Sequence, residues 1–430
     1  MLRRRVVPAV VVLSAALAAA CTPEPPPGPT TPTWTPTVLL GSNATGSAVH
    51  HPATATTAGW WAVVEQRPVV GPGATSTVVE LYRRTGPDGA PASAPSQTIP
   101  VALPFTGIAM SDHVLAIRYR NGLAGLETTD LWRLDDASGQ WIKGGVVPFA
   151  IDSDRHLEML VTDSEIVFGS SYPNAARDGL VSIIPIVLTP TGVAADIFSP
   201  LVRAALPDPS WSMTDRAGFG RRISIDGDFL AISGGNDHVV AYRRSGPDWL
   251  RDLTLTNPAA PATSGRFGAS IAVDVTTGTP RLLVGEQGGF GIGGPVEPGR
   301  AVLYERGASG WAQTQVIEPR AGNALGGFTV GAEVTLDGRF ATVGYYWAQV
   351  PQSGNPTIDD YRLEVWDTSG TPTFEAELSA LAAGGAGPGD TSAMVAFPQQ
   401  SGNHISAVAW QNAGSVARYS AVSWDRHPSS

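Results

Sequence analysis

Short runs of alternating apolar and polar residues, punctuated by glycine-rich turns, dominate this chain. The clearest stretch is 219–255, FGRRISIDGDFLAISGGNDHVVAYRRSGPDWLRDLTL. Residues 219–225 read as a first strand, with Ile223 and Ile225 alternating against polar neighbours. Asp226-Gly227 reads as a two-residue hairpin turn, because both residue types tolerate positive φ. A second strand over 229–233 is broken by Gly234-Gly235, a third covers 239–243, and a fourth covers 249–255 after the turn at 245–248. One such sheet cannot bury both of its faces, whereas a ring of copies can. The pattern therefore predicts an all-β fold, a β-propeller of four-stranded antiparallel blades.

The recurring mark is an aromatic late in the third strand, then a glycine-containing turn, then often a tryptophan opening the fourth strand. Six successive copies carry Tyr82, Trp132, a strand over 180–189 with Pro185 in place of the aromatic, Tyr242, Tyr304 and Trp366. Gly139 and Trp141, Gly246 and Trp249, and Gly310 and Trp311 complete the mark in the second, fourth and fifth. A seventh copy spans 394–397, 405–410 and 416–424 and lacks a fourth strand. Residues 34–40 match the fourth-strand pattern: Trp34 precedes Leu39 and Leu40 as Trp311 precedes Val316 and Ile317. Pro36 is tolerable there because a fourth strand lies at a sheet edge. The expectation is a seven-bladed ring closed by this N-terminal strand.

Phe219-Gly220 with Ile232-Ser233-Gly234-Gly235, and Phe267-Gly268 with Val284-Gly285-Glu286, resemble the FG-GAP repeat, the blade unit of integrin-α-like propellers. That resemblance implies a seven-bladed propeller and, in family members that bind calcium, a D-x-D-x-D-G loop between the first two strands. Here the corresponding turns are short: Asp112-His113, Asp163-Ser164, Asp226-Gly227, Asp337-Gly338 and Gly402-Asn403. Only Asp274 begins a longer loop, and 275–280 adds no second acid. A hard cation needs several converging oxygens, so no metal and no cofactor is expected.

The N-terminus bears on location. Arg3, Arg4 and Arg5 precede an apolar run over 6–20, too short to span a bilayer and suited to a secretory leader. Ala18-Ala19-Ala20-Cys21 resembles the bacterial lipobox, which implies cleavage after residue 20 and acylation, palmitate included, of Cys21. The rival is ordinary A-x-A cleavage that leaves a free thiol. Export by the general or the twin-arginine route is left open. Residues 21–33 are a Pro/Thr-rich tether able to reach about 40 Å, and 34–430 is the propeller domain. With one cysteine there is no internal disulfide. The net charge of −10 becomes more negative once the three leader arginines are removed, which argues against a nucleic-acid partner.

Catalytic signatures are sparse. There is no G-x-S-x-G elbow and no H-E-x-x-H. The best acid–base cluster is Asp152, Asp154, His156 and Glu158, entering the first strand of the third copy, where His156 and Glu158 share one side of the strand. His50, His51 and His404 read as solvated loop residues. The long connections join strands two and three, at 66–76, 170–178, 286–300 and 347–360, so that face is expected to bind. Its candidate centre is Phe290, Tyr345, Tyr346 and Trp347, rimmed by Glu286, Glu297, Asp359 and Asp360. The leading expectation is a monomeric, lipid-anchored cell-envelope protein on the outer side of the cytoplasmic membrane. It would be a non-catalytic module that binds or scaffolds a protein or glycan. The alternative is an exported propeller enzyme, a glycosidase or polysaccharide lyase, using the Asp152 to Glu158 cluster.

Overall fold

Turn glycines set the strand lengths. Gly227 and Gly338 have φ of 54° and 56°, left-handed values that follow the last residue of an inner strand. Asp226 pairs with Phe229 and Asp337 with Phe340, so the two-residue turns are Gly227-Asp228 and Gly338-Arg339. This corrects the expected Asp226-Gly227 and Asp337-Gly338 turns by one residue. The acid closes the ladder and glycine takes the first turn position.

The computed structural model describes residues 33–39, 54–68, 75–84, 91–101, 105–121, 126–149, 156–172, 177–196, 203–235, 237–257, 266–288, 299–318, 320, 327–349, 357–379, 393–401, 404–413 and 416–427. Among these the strands form seven antiparallel sheets built as meanders, the seventh completed by the N-terminal strand. The first strand of each sheet contacts the first strand of the next, and that of the seventh sheet returns to that of the first. The architecture is a β-propeller. In the seventh sheet Thr33–Leu39 pairs antiparallel with Val416–His427, Thr33 opposite His427 and Leu39 opposite Ala421. The third sheet departs from the pattern. Leu180–Thr189 is flanked by two short strands, Gly192–Ala195 and Arg203–Ala205. A six-residue helix, Met213–Gly218, which the sequence pattern did not signal, leads into the fourth sheet. Ser212 caps it by accepting from the Asp215 amide.

The apolar cores lie between adjacent sheets. Met159, Val161, Ile166 and Phe168 of the third sheet meet Val114, Ala116 and Leu131 of the second, and Phe229, Ala231 and Val239 of the fourth meet Ile271, Val273 and Leu282 of the fifth. The fourth-strand tryptophans cap these seams. Trp141 packs edge-on against Trp60 of the preceding sheet at 5.8 Å, and Trp311 against Phe229 at 5.9 Å. An arginine two residues after the third-strand aromatic staples the same seams. Arg244 forks onto Glu165 at 2.8 and 2.5 Å, Arg306 onto Asp252 at 2.6 and 3.1 Å, and Arg426 reaches Glu375. Acids at the strand one-to-two turns bridge neighbouring turns: Asp163 accepts from the His113 amide, Asp226 from the Val275 amide and Asp274 from the Gly338 amide.

The two Phe-Gly pairs have equivalent geometry. Phe219 and Phe267 are fully buried, and Gly220 and Gly268 have φ of 80° and 77°. A Cβ on Gly220 would stand 3.0 Å from the Leu180 carbonyl oxygen, and one on Gly268 would stand 2.8 Å from Val239. Each glycine lets the incoming chain press against the preceding sheet. Phe219 is the residue that ends the helix, however, and the inner strand begins at Ile223 rather than at 219.

Candidate active site at the mouth of the central channel

Strand alternation decides what faces the channel. In the inner strand His156–Val161, Met159 and Val161 enter the core between sheets, and Glu158 and Leu160 line a central cavity of about 310 Å³. Glu158 sits opposite Gly169 in the strand Glu165–Ser171. Gly169 has no side chain to hold the fourth sheet away, and a Cβ there would lie 2.1 Å from the Gly220 carbonyl oxygen. That approach draws residues 220–222 toward Glu158. Arg222 is then fixed from both ends. Its amide donates to Ser233 Oγ at 2.9 Å, its Nε donates to the Ala269 carbonyl at 3.1 Å, and its Nη1 comes to 3.7 Å from Glu158 Oε2. Ser224, Ser270, Glu333 and Gln400 line the same cavity from the fourth to seventh sheets.

About a quarter of the Glu158 side chain is exposed, 23 %, yet Oε2 is sealed from solvent and has no hydrogen-bond partner among the described residues. The contact to Arg222 is too long for a hydrogen bond and acts through charge alone. Burial pushes the carboxyl up to about 7, against the pull of Arg222, the Ile223 amide and Arg118. Arg118 is itself engaged, with Nε 3.2 Å from Glu127 Oε2 and Nη2 donating to the Thr106 carbonyl at 3.0 Å. Arg221 is half-buried and its pKa is lowered, first by burial and then by the like charges of Arg266 and Arg222. A carboxyl raised to about 7 in a cavity that also holds the Arg222 guanidinium is suited to taking up and returning a proton.

Of the expected acid–base cluster, Glu158 is placed in the site. His156 lies on the same strand two residues earlier, outside the residues whose side chains are described, and Asp152 and Asp154 lie outside the described residues. Cys21 and the segments 1–20 and 21–32 are also outside them, as are His50, His51, Phe290 and Glu297. Tyr345, Tyr346 and Trp347 were expected in a loop and instead belong to the strand Phe340–Gln349. Asp359 and Asp360 likewise belong to Thr357–Asp367, with Trp347 paired to Asp360 across the ladder. The alternation of that hairpin continues past the point where the sequence suggested a break. Glu286 is no loop residue either; it lies in the strand Arg281–Gln287 and its carboxylate accepts from Arg300 Nε at 2.6 Å in a part-buried ion pair. His404 was expected to be solvated and is buried, with Nδ1 2.7 Å from Asp425 Oδ1 and the Trp61 ring edge-on at 6.0 Å.

Sequence reasoning passed over Arg221, Arg222 and Arg266. Their signal was a basic residue placed just before or at the start of an inner strand, beside each Phe-Gly pair. Among the described residues no group of three or more His, Cys, Asp and Glu side chains is placed to hold a metal ion.

No protein-family model matches the chain, and no curated protein matches it. Solved structures of similar shape include a periplasmic gluconolactonase from Pseudomonas aeruginosa, at 16 % identity and a TM-score of 0.45, covering 83 % of this chain and 94 % of that one. They also include the β-propeller domain of the Trilobed protease from Pyrococcus furiosus, at 10 % identity and a TM-score of 0.44, covering 88 % and 95 %. These likenesses concern the fold alone. The expectation of a non-catalytic protein is corrected: a propeller fold is by itself no argument against catalysis, and one solved structure of similar shape is that of a gluconolactonase.

Proposed function

We propose that the protein is an exported propeller enzyme that acts on a carbohydrate in its central channel, with Glu158 as the proton-transfer residue. The observation that carries this reading is the Glu158 carboxyl, raised to about 7 beside a cavity of about 310 Å³ and facing a guanidinium at 3.7 Å. Near neutral pH such a group is present in both protonation states. It can remove a proton in one step and deliver it in the next. The cavity lining suits a sugar: Ser224, Ser270 and Gln400 offer hydrogen bonds and Ile225 and Ile271 offer apolar surface. Cleavage of a glycosidic bond by hydrolysis needs a second carboxyl, and Glu333 lines the same cavity.

In this reading the seven sheets are seven blades, and Thr33–Leu39 closes the ring; its pairing with the last strand supports that closure. The leader-like residues 1–20 and the tether support export and anchoring through an acylated Cys21. The test is turnover of a panel of neutral and acidic polysaccharides by residues 34–430, repeated with Glu158→Gln. Turnover that is lost in the variant supports the reading.

A further inference from the structure

Building on the channel as a substrate site, we infer that its mouth on the strand two-to-three face binds the carboxylate of a uronic-acid unit through Arg221, Arg222 and Arg266. Three observations converge on an anionic sugar. The first is position. Arg222 immediately precedes the inner strand Ile223–Asp226, and its carbonyl accepts from the Ser233 amide near the end of Phe229–Gly234. Arg266 begins the inner strand Arg266–Asp274 and pairs with Gln287, the last residue of Arg281–Gln287. Both arginines therefore stand where first strands start and second strands finish, which is the end of the channel that holds Glu158.

The second observation is what these cations are doing. The side chains of Arg221 and Arg266 make no hydrogen bond or ion pair to any described residue; the Arg221 amide donates to the Gly218 carbonyl. At the seams between sheets several arginines are matched by acids, as Arg244 is by Glu165 and Arg306 by Asp252. In a chain with a net charge of −10, adjacent guanidinia left without counter-charge mark a place that an anion completes. Arg118 beside them is already matched by Glu127. Glu158, the acid closest to Arg222, does not supply a full charge near neutrality.

The third observation selects a carboxylate next to a C–H over an inorganic anion. A base that titrates near neutrality has little to remove from a neutral sugar. Guanidinia that neutralise a carboxylate acidify the adjacent C–H. The proton would pass to the Glu158 carboxylate and the electron pair would remain in the resulting enolate, whose charge the guanidinia hold. The cavity beyond the mouth offers the mixed polar and apolar lining that a sugar ring requires.

The experiment separates binding from turnover. Calorimetric titration with tri-galacturonate, its fully methyl-esterified form and inorganic phosphate would be made on the wild type, on Glu158→Gln, and on Arg221→Gln and Arg266→Gln singly and together. Arg222 is spared because its contacts to Ala269 and Ser233 hold two sheets together. The expected result is binding of the acid form by the wild type and by Glu158→Gln, at least tenfold weaker binding of the ester, and at least tenfold loss in the double arginine variant with an unchanged melting temperature. If the acid binds and no polysaccharide is turned over, this inference stands and the enzymatic reading fails. Equal affinity for acid and ester, no binding of the acid, or phosphate competing as strongly as the uronate each overturns the inference.

Discussion

Glu158→Gln should make the protein more stable at alkaline pH, and the size of the gain follows from the site. The folded-state pKa of Glu158 is raised to about 7 from an ordinary 4.5. A group raised in this way contributes stability that is fully present below its unfolded pKa and is lost as pH climbs through the folded one. The window is therefore pH 4.5 to about 7. At 1.36 kcal/mol per pKa unit, ionising the buried carboxyl costs roughly 3 kcal/mol by pH 8.5. Because 23 % of the side chain meets the channel, about 2–3 kcal/mol is the better expectation. Glutamine has the same shape and no charge, so the variant escapes that cost. Its unfolding entropy, about 0.8 kcal/mol/K for a domain of roughly 400 residues, converts the gain into a melting temperature about 3 °C higher. The assay is urea unfolding of both proteins at pH 5 and pH 8.5. The two should nearly coincide at pH 5 and separate at pH 8.5 with the variant above. A variant no more stable than the wild type at pH 8.5 refutes the raised carboxyl, and with it the reason for assigning Glu158 a proton-transfer role. A site that costs stability in this way is the expected mark of function rather than of packing.

Three further outcomes follow from the fold. Asp252→Asn should cost about 1–3 kcal/mol in urea unfolding, because it accepts from Arg306 at 2.6 and 3.1 Å and from Trp311 Nε1 at 2.7 Å. The pKa of His404 is lowered, chiefly by burial, so its contribution is present above the ordinary histidine value of 6.5 and is lost as pH falls through the lowered one. The stability advantage of the wild type over His404→Gln should accordingly be largest above pH 6.5 and shrink in acid, as read from urea midpoints between pH 5 and 8. Deleting 33–39 should lower the melting temperature by several degrees, since the strand Val416–His427 would lose its outer partner; an unchanged melt rejects closure by this strand.

The propeller was legible in the sequence because its signals are local. Tyr242 and Tyr304 lie in the second half of third strands, Trp141 and Trp311 stand at the start of fourth strands, and each pair marks a seam between sheets. Trp34 could be matched to that series, and the strand around it pairs with the last one as its pattern predicts. The turn phase was missed at Asp226 and Asp337 because Asp-Gly suits a hairpin in either register, and only the cross-strand pairing decides. The site was half legible. Glu158 stood out as an acid on an inner strand, but its raised pKa depends on Gly169 admitting the Gly220 carbonyl, a contact between sheets that no linear pattern encodes. Arg222 was passed over for the same reason: its tie to Ala269 crosses 47 residues of sequence. His404 looked like a loop residue because its partner Asp425 lies on the neighbouring strand, 21 residues on. Tyr345 and Trp347 misled because a long hairpin and a long loop carry similar residues until the ladder is seen.

Turnover tests the central claim most directly. Initial rates of cleavage would be measured across neutral and uronic-acid polysaccharides with residues 34–430 and with the Glu158→Gln variant, between pH 5 and 9. The expected result is cleavage of at least one polymer, a rate governed by a group titrating near pH 7, and a loss of at least about a hundredfold in the variant. Absence of cleavage across the panel, or a Glu158→Gln variant as fast as the wild type, would contradict it.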